Sequence, residues 1–344
     1  MGLLIQRPLF HALGASEPVL ALVTNYLTII FLFAPLILLL MFTNSVFQGW
    51  GNTVFPMIFM LTGTISNLVL DPLLIFGLGP FPRLEMQGAA LATGLGRVLA
   101  LSIAVVVLFL YHKPTRVRFS GFQFDWNIVS GILKVGLPSS VSQILTTIAM
   151  SIIFLILKPY GPNAKAVYTI VFTYEVVVFL PAIGVSQAII IMTGHNFGAR
   201  LLDRVRRIYW SGTLIALGMM GTTSIIIFLF PHFFAGIFAR SREVHQMATT
   251  ALRISAVGFA FISFYLCSVA SFQGLGLGRQ YLLANMTRLY VLEAPLAFVG
   301  SHWLGLNGVW TGMAMGNIFS ALLLVIWYLF IFRRQVVTGK VQAI

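Results

Sequence analysis

The sequence predicts an all-α polytopic membrane protein of about nine transmembrane helices, and three observations carry that prediction. Hydrophobic residues make up 59% of the chain and charged residues only 8%, too apolar a mixture for a core dissolved in water. The apolar residues fall into runs that reach the roughly 20 residues needed to cross a bilayer, and most basic residues sit in the short links between them. A short phrase is also said twice. Phe47-Gln48-Gly49-Trp50-Gly51 recurs as Phe272-Gln273-Gly274-Leu275-Gly276, an offset of 272 − 47 = 225. The same offset pairs Ser16 with Ser241, Val19 with Val244, Leu27 with Leu252 and Ile29 with Ile254. An internal repeat of this length marks a duplicated helical bundle.

The segments follow in order. The run 19–48 carries Pro35 and closes on the first copy of the phrase. The run 53–77 holds Pro56 and the Asp71-Pro72 step and ends at Gly77. The run 87–111 opens on small residues, Gly88-Ala89-Ala90-Leu91-Ala92-Thr93. The one long polar link, His112 to Trp126, then separates the two copies. Beyond it lie 128–157 with Pro138, 164–193 with Pro181, 207–230 after the basic run Arg200 to Arg207, and 245–272 ending on the second phrase. The last two are 279–301, with Glu293-Ala294-Pro295, and 308–332, which opens Gly308-Val309-Trp310-Thr311-Gly312. Membrane helices tolerate these prolines when neighbours re-satisfy the backbone. The expected division is a three-helix amino-terminal lobe over 1–112, a linker over 113–126, a six-helix lobe over 127–335 and a tail over 336–344.

A net charge of +13 would suggest nucleic acid in a soluble chain. Here it follows the positive-inside bias of membrane proteins, so no nucleic-acid partner is expected. Counted against an alternating topology, one side holds eleven basic residues: Lys113, Arg116, Arg118, Arg200, Arg204, Arg206, Arg207, Arg279, Arg333, Arg334 and Lys340. The other holds six: Arg7, Arg83, Lys158, Lys165, Arg240 and Arg242. That difference places the carboxyl end in the cytoplasm. Cys267 is the only cysteine and lies in an apolar run, so disulfides and cysteine metal sites are excluded. No signal-peptide pattern stands at Met1. The histidines show no metal spacing, no phosphate-binding loop follows a strand, and no nucleophile stands beside a base, so the chain does not read as an enzyme.

The repeat carries a further expectation. The second copy shows six crossings and the first only three, which match the last three of the second. A symmetric parent would carry about 100 more residues and three more helices ahead of Met1.

These residues resemble the multidrug and toxic compound extrusion (MATE) family. The resemblance rests on Phe47-Gln48-Gly49-Trp50-Gly51-Asn52-Thr53, on Asn67 through Gly77 with its Asp71-Pro72, and on Gly88 to Thr93. In the second copy it rests on Gly136-Leu137-Pro138, Gly184-Val185-Ser186-Gln187-Ala188 and Gly194-His195-Asn196-Phe197-Gly198-Ala199 followed by Asp203-Arg204-Val205-Arg206. It implies a remnant of a 6+6 two-lobe bundle around a central cleft that opens alternately to each side. The implied activity is efflux of organic, often cationic, compounds in exchange for H⁺ or Na⁺, with no other cofactor. His195 departs from the family's usual glutamine, the family's first-helix aspartate has no counterpart here, and the helix holding Pro138 lacks the acid that one branch carries, with Thr146 and Thr147 in that stretch.

Three of the eight acids lie inside predicted crossings: Asp71, Glu175 and Glu293. An ionisable group in hydrocarbon costs several kcal/mol unless it faces a cavity or a partner, so each is a candidate site. Asp71 follows Asn67 by one helical turn, which puts carboxylate and amide on one face. By resemblance Asn67 and Asp71 match the family's fifth-helix pair, and Thr93 is a neighbour from the next helix. A carboxylate, an amide oxygen and a hydroxyl suit Na⁺, and a desolvated aspartate suits a proton. The alternative is an acid before a kinking proline that is paired or reaches the outer surface. Glu175, beside Tyr174, is expected either to line a substrate cleft with Gln143 and Met150 or to pair with Lys134 or Arg253. Glu293, five residues after Arg288, is expected to form a structural ion pair with it.

The first functional reading is a cation-coupled drug antiporter of the plasma (inner) membrane, monomeric, taking small organic drug-like substrates. The second is a lipid-linked saccharide flippase, whose cleft would be rich in basic residues; only Arg97, Lys134, Arg253 and Arg288 lie in or near crossings. The third is a non-transporting remnant.

Overall fold

The computed structural model describes residues 6–7, 17–111 and 123–333, and every long element in it is a helix. Ser16, Lys113, Arg116, Arg118, Arg334, Lys340 and the 336–344 tail lie outside the described residues. The chain divides into two compact units, Met1–Gln123 and Phe124–Ile344.

The first unit has three long helices: α1 (Glu17–Gly49), α2 (Val54–Phe76) and α3 (Glu85–Val106, extended by a π turn to Tyr111). Their buried core is small and built on Leu40, Phe47, Phe59, Ala100, Leu101, Ala104 and Leu108. Phe47 meets Phe55 and Phe59 at ring-centre distances of 5.3 and 5.7 Å. Large apolar side chains such as Leu32, Met41, Phe42 and Leu68 are instead exposed. That distribution is inside-out for water and ordinary for a helix face against lipid.

The second unit opens with α4 (Trp126–Ile156), whose first turn is capped by the Asp125 carboxylate accepting the Asn127 N–H at 2.8 Å. After one 3₁₀ turn come α5 (Gly161–Gly198), α6 (Leu202–Leu229), the short α7 (Pro231–Phe238) and α8 (Arg242–Phe259). Ser241 caps α8 by accepting the Val244 N–H at 3.2 Å. Then follow α9 (Ile262–Gly274), α10 (Gly278–Met286), a π-helical stretch (Thr287–Glu293) and α11 (Ala294–Ile331).

Three elements differ from their expected form. The 245–272 segment is two helices, α8 and α9, bent by 44° with no proline at the break. The first turns of α6 reach back to Leu202, because Asp203, Arg204, Arg206 and Arg207 present an exposed charged face while Val205 and Tyr209 are buried. Gly278–Ile331 registers as a single 54-residue helical run, yet Gly305 inside it has φ 60° and ψ −141°. There the chain doubles back. A Cβ on Gly312 would sit 2.6 Å from Ala297 Cα, one on Gly316 would sit 2.7 Å from Glu293 Cα, and Gly300 and Gly308 touch backbone to backbone. Such a ladder of contacts, closing toward Gly305, is an antiparallel hairpin, and small residues let its helices approach this closely. Seven helical runs are long and apolar enough to cross a membrane among the described residues, eight with the bent pair. The reversal at Gly305 splits the longest of them as 279–301 and 308–332 anticipated.

The repeated phrase folds the same way twice. Asn52 N–H donates to Phe47 C=O at 3.0 Å, and Leu277 N–H donates to Phe272 C=O at 2.8 Å. Gly51 donates to Gln48 at 2.9 Å and Gly276 to Gln273 at 3.0 Å. Both glycines take the left-handed conformation, φ 77° and 74°. Each turn closes a helix C-terminus by the six-to-one bond that needs a residue tolerant of positive φ.

Candidate functional site

The first cluster is on α2 and α3. Asn67 and Asp71 stand one turn apart on α2, and the Asn67 amide nitrogen donates to Asp71 Oδ1 at 3.2 Å. The same nitrogen donates across to Thr93 Oγ1 on α3 at 3.4 Å. Thr93 reaches Asn67 because the helices nearly touch one turn further along. A Cβ on Gly96 would lie 2.8 Å from Gly63 O and 3.3 Å from Asn67 N. All three side chains are half-buried, and among the described residues no basic group forms an ion pair with Asp71. The three groups therefore converge with one formal negative charge and, among the described residues, no ion-paired cation. As oriented, Asn67 offers its NH₂ to both oxygens; an oxygen-only cluster requires the amide to turn.

The second cluster is in the carboxy-terminal unit, and it reassigns Glu175. Its partner is Arg288, with Nη2 3.0 Å from Glu175 Oε1. Lys134 and Arg253 are exposed and make no ion pair among the described residues. Arg288 also faces Glu293, with Nη2 3.6 Å from Oε2, so the anticipated pair is present but is the longer of two. Arg288 Nε donates to Asn317 Oδ1 at 3.1 Å, and the guanidinium lies 4.8 Å from the centre of the Tyr265 ring. The π-helical stretch explains the geometry. Positions five apart point to different faces of an α-helix, but i→i+5 bonding over Thr287–Glu293 brings Arg288 and Glu293 to one side.

Beside this cluster is a cavity of about 60 Å³ lined by Glu175, Arg288, Glu293, Tyr168, Thr146 and Met150 together with apolar neighbours. Of the four residues expected along a substrate cleft between the lobes, Glu175 and Met150 line this smaller cavity within the carboxy-terminal unit. Tyr174 turns away: its hydroxyl donates to Phe234 C=O at 2.7 Å and its ring packs on Phe234 and Phe238. Gln143 is exposed and does not line the cavity. Sequence reasoning missed Tyr265, Asn317 and Asn285. Asn285 binds Tyr265, Ser142 and Thr146 at once, tying α4, α9 and α10 together. The only advance signal for this network was the presence of polar residues in apolar runs.

The sequence pattern of the family described as MatE matches residues 1–73 and 138–299. The chain belongs to the MatE family. Among its relatives is a probable multidrug resistance protein, YoeA, of Bacillus subtilis (strain 168), 24% identical over 99% of this chain and 75% of that protein. An FAD transporter of Shewanella oneidensis is 27% identical over 92% of this chain and 70% of its own length. The multidrug export protein MepA of Staphylococcus aureus (strain MSSA476) is 28% identical over 95% and 72%. Among solved structures, an outward-facing multidrug resistance MATE family transporter of the MOP superfamily superposes with a TM-score of 0.90 at 28% identity, covering 96% of this chain and 74% of that one. A MOP superfamily transporter from Pyrococcus furiosus gives 0.91 at 27% identity. The MatE chain described here is thus a multi-pass, all-helical membrane protein whose structural neighbours are transporters.

Proposed function

We propose that this chain is a secondary active exporter of small organic compounds, driven by H⁺ or Na⁺ through the Asp71, Asn67 and Thr93 cluster. The observation that carries the reading is the convergence of these three side chains, of which the acid has no ion-paired cation among the described residues. A carboxylate in hydrocarbon without a counter-ion favours a state in which it binds one. Alternating access would follow if the loaded and unloaded cluster stabilise different conformations. Multidrug exporters among the relatives support a drug-like substrate. The eleven-to-six excess of basic residues supports a cytoplasmic carboxyl end, and the bacterial relatives support an inner-membrane location.

Anionic substrates rank lower. Lipid-linked saccharides and dinucleotides such as that of the Shewanella relative need basic side chains free to meet phosphate. In the cavity described above, Arg288 is the one basic lining residue and is already engaged by Glu175 and Glu293.

The test is dye efflux from a drug-sensitive bacterium expressing the chain. Efflux should require an ion gradient and vanish in Asp71→Asn while membrane insertion is unchanged. Unimpaired efflux in that variant removes Asp71 from coupling; no efflux from the native chain favours the non-transporting reading.

A further inference from the structure

The carboxy-terminal unit holds a charge that it does not balance. Glu175, Glu293 and Arg288 have side chains only 12%, 9% and 8% exposed. Two carboxylates and one guanidinium leave a net charge of −1 at a depth where an unmatched charge costs several kcal/mol. Both acids approach the same nitrogen, Nη2 of Arg288, so the two oxygens are no farther apart than the sum of 3.0 and 3.6 Å. The longer contact is electrostatic but lies outside hydrogen-bond range, and Glu293 Oε2 is a buried oxygen with no hydrogen-bond partner. A buried acceptor in that condition carries the full cost of its lost hydration.

Among the described residues, the remaining faces of the site supply no second cation. Tyr168 and Thr146 line the cavity, Tyr265 and Asn317 contact Arg288, and its other walls are Ala149, Ile153, Phe172, Leu289 and Ala294, with Met150. A metal ion such as Na⁺ needs several oxygen ligands and would lie against the guanidinium. A proton needs one oxygen and removes the excess charge outright.

We propose that Glu175 and Glu293 hold a single bound proton between them, carried on the Glu293 carboxyl, as a proton-binding site separate from Asp71. With the proton bound the cluster is neutral: Arg288 pairs with Glu175, and Glu293 is an uncharged acid. When the proton leaves for the adjoining cavity, Arg288 must divide its attraction between two carboxylates that repel each other. The π-helical stretch is what makes this possible, because a regular helix would turn Glu293 away. This site stands whether or not Asp71 drives transport.

The test is infrared difference spectroscopy of the full chain in lipid nanodiscs near neutral pH, in an Asp71→Asn background so that Asp71 contributes nothing. A protonated carboxyl band is expected. It should vanish in Glu293→Gln and equally in Glu175→Gln, since each change leaves one acid matched by Arg288. Absence of the band in the parent, or its survival in either variant, overturns the proposal. Should Glu293→Gln fail to fold, Glu293→Asp should keep the band at a moved frequency, and an unmoved band is equally fatal.

Discussion

The two polar clusters solve the problem of charge in hydrocarbon in opposite ways. On α2 and α3 one acid is half-buried and has neutral hydrogen-bond partners. Around Arg288 one acid, Glu293, is buried and the other, Glu175, is 12% exposed, with a built-in cation that matches only one of them. If it binds a cation as proposed, the first cluster would be emptied or filled at small structural cost. In the second, charge and packing are the same thing, because Arg288 also holds Asn317 and rests on Tyr265.

The comparison breaks most visibly at Arg288. Replacing it with methionine removes the one cation facing Glu175 and Glu293 and should destabilise the protein by about 3–5 kcal/mol, seen as loss of folded protein in thermal unfolding in detergent. Adding Glu175→Gln and Glu293→Gln to that variant should recover most of the loss. If Arg288→Met alone unfolds no more easily than the native chain, the cluster is not balanced by charge. Asp71→Asn should do the reverse, changing stability by less than about 1 kcal/mol while abolishing ion-driven efflux. A large stability loss there would make Asp71 structural.

Smaller effects sharpen the likeness of the two units. Gly88 packs against the backbone of Leu74 as Gly312 packs against that of Leu296 and Ala297. Valine at either position should cost about 1–3 kcal/mol by overpacking, read as a lower unfolding temperature. The smallest test is the repeated turn. Gly51→Ala and Gly276→Ala each force a side chain into positive φ and should each cost about 1 kcal/mol. Unequal costs would show that the two turns, alike in hydrogen bonding, are held differently by their surroundings.

Much of this was legible in the residues. Apolar runs of bilayer length located the helices, the duplicated phrase anticipated one turn occurring twice, and the four-residue step from Asn67 to Asp71 placed both on one face. Thr93 was legible only by family resemblance, since its approach depends on Gly63 and Gly96 meeting across two helices. Glu175 shows why the rest was hidden. Its partner lies 113 positions away, and no local pattern distinguishes Arg288 from Lys134 or Arg253. The five-residue step to Glu293 misleads under α-helical periodicity and is correct only because Thr287–Glu293 is wound as a π-helix. The bend between α8 and α9 has neither proline nor charge to announce it.

The glycine seam has a mechanical consequence. Gly316 lies against the backbone of Glu293, and Arg288 is tied to Asn317 one residue further along. Arg288 and Glu293 therefore ride together on one ribbon, while Glu175 arrives on α5. Any sliding of α5 past that ribbon lengthens one ion pair and spares the other. Arg288 would then act like a commutator, its charge passed from one acid to the other as the helix moves.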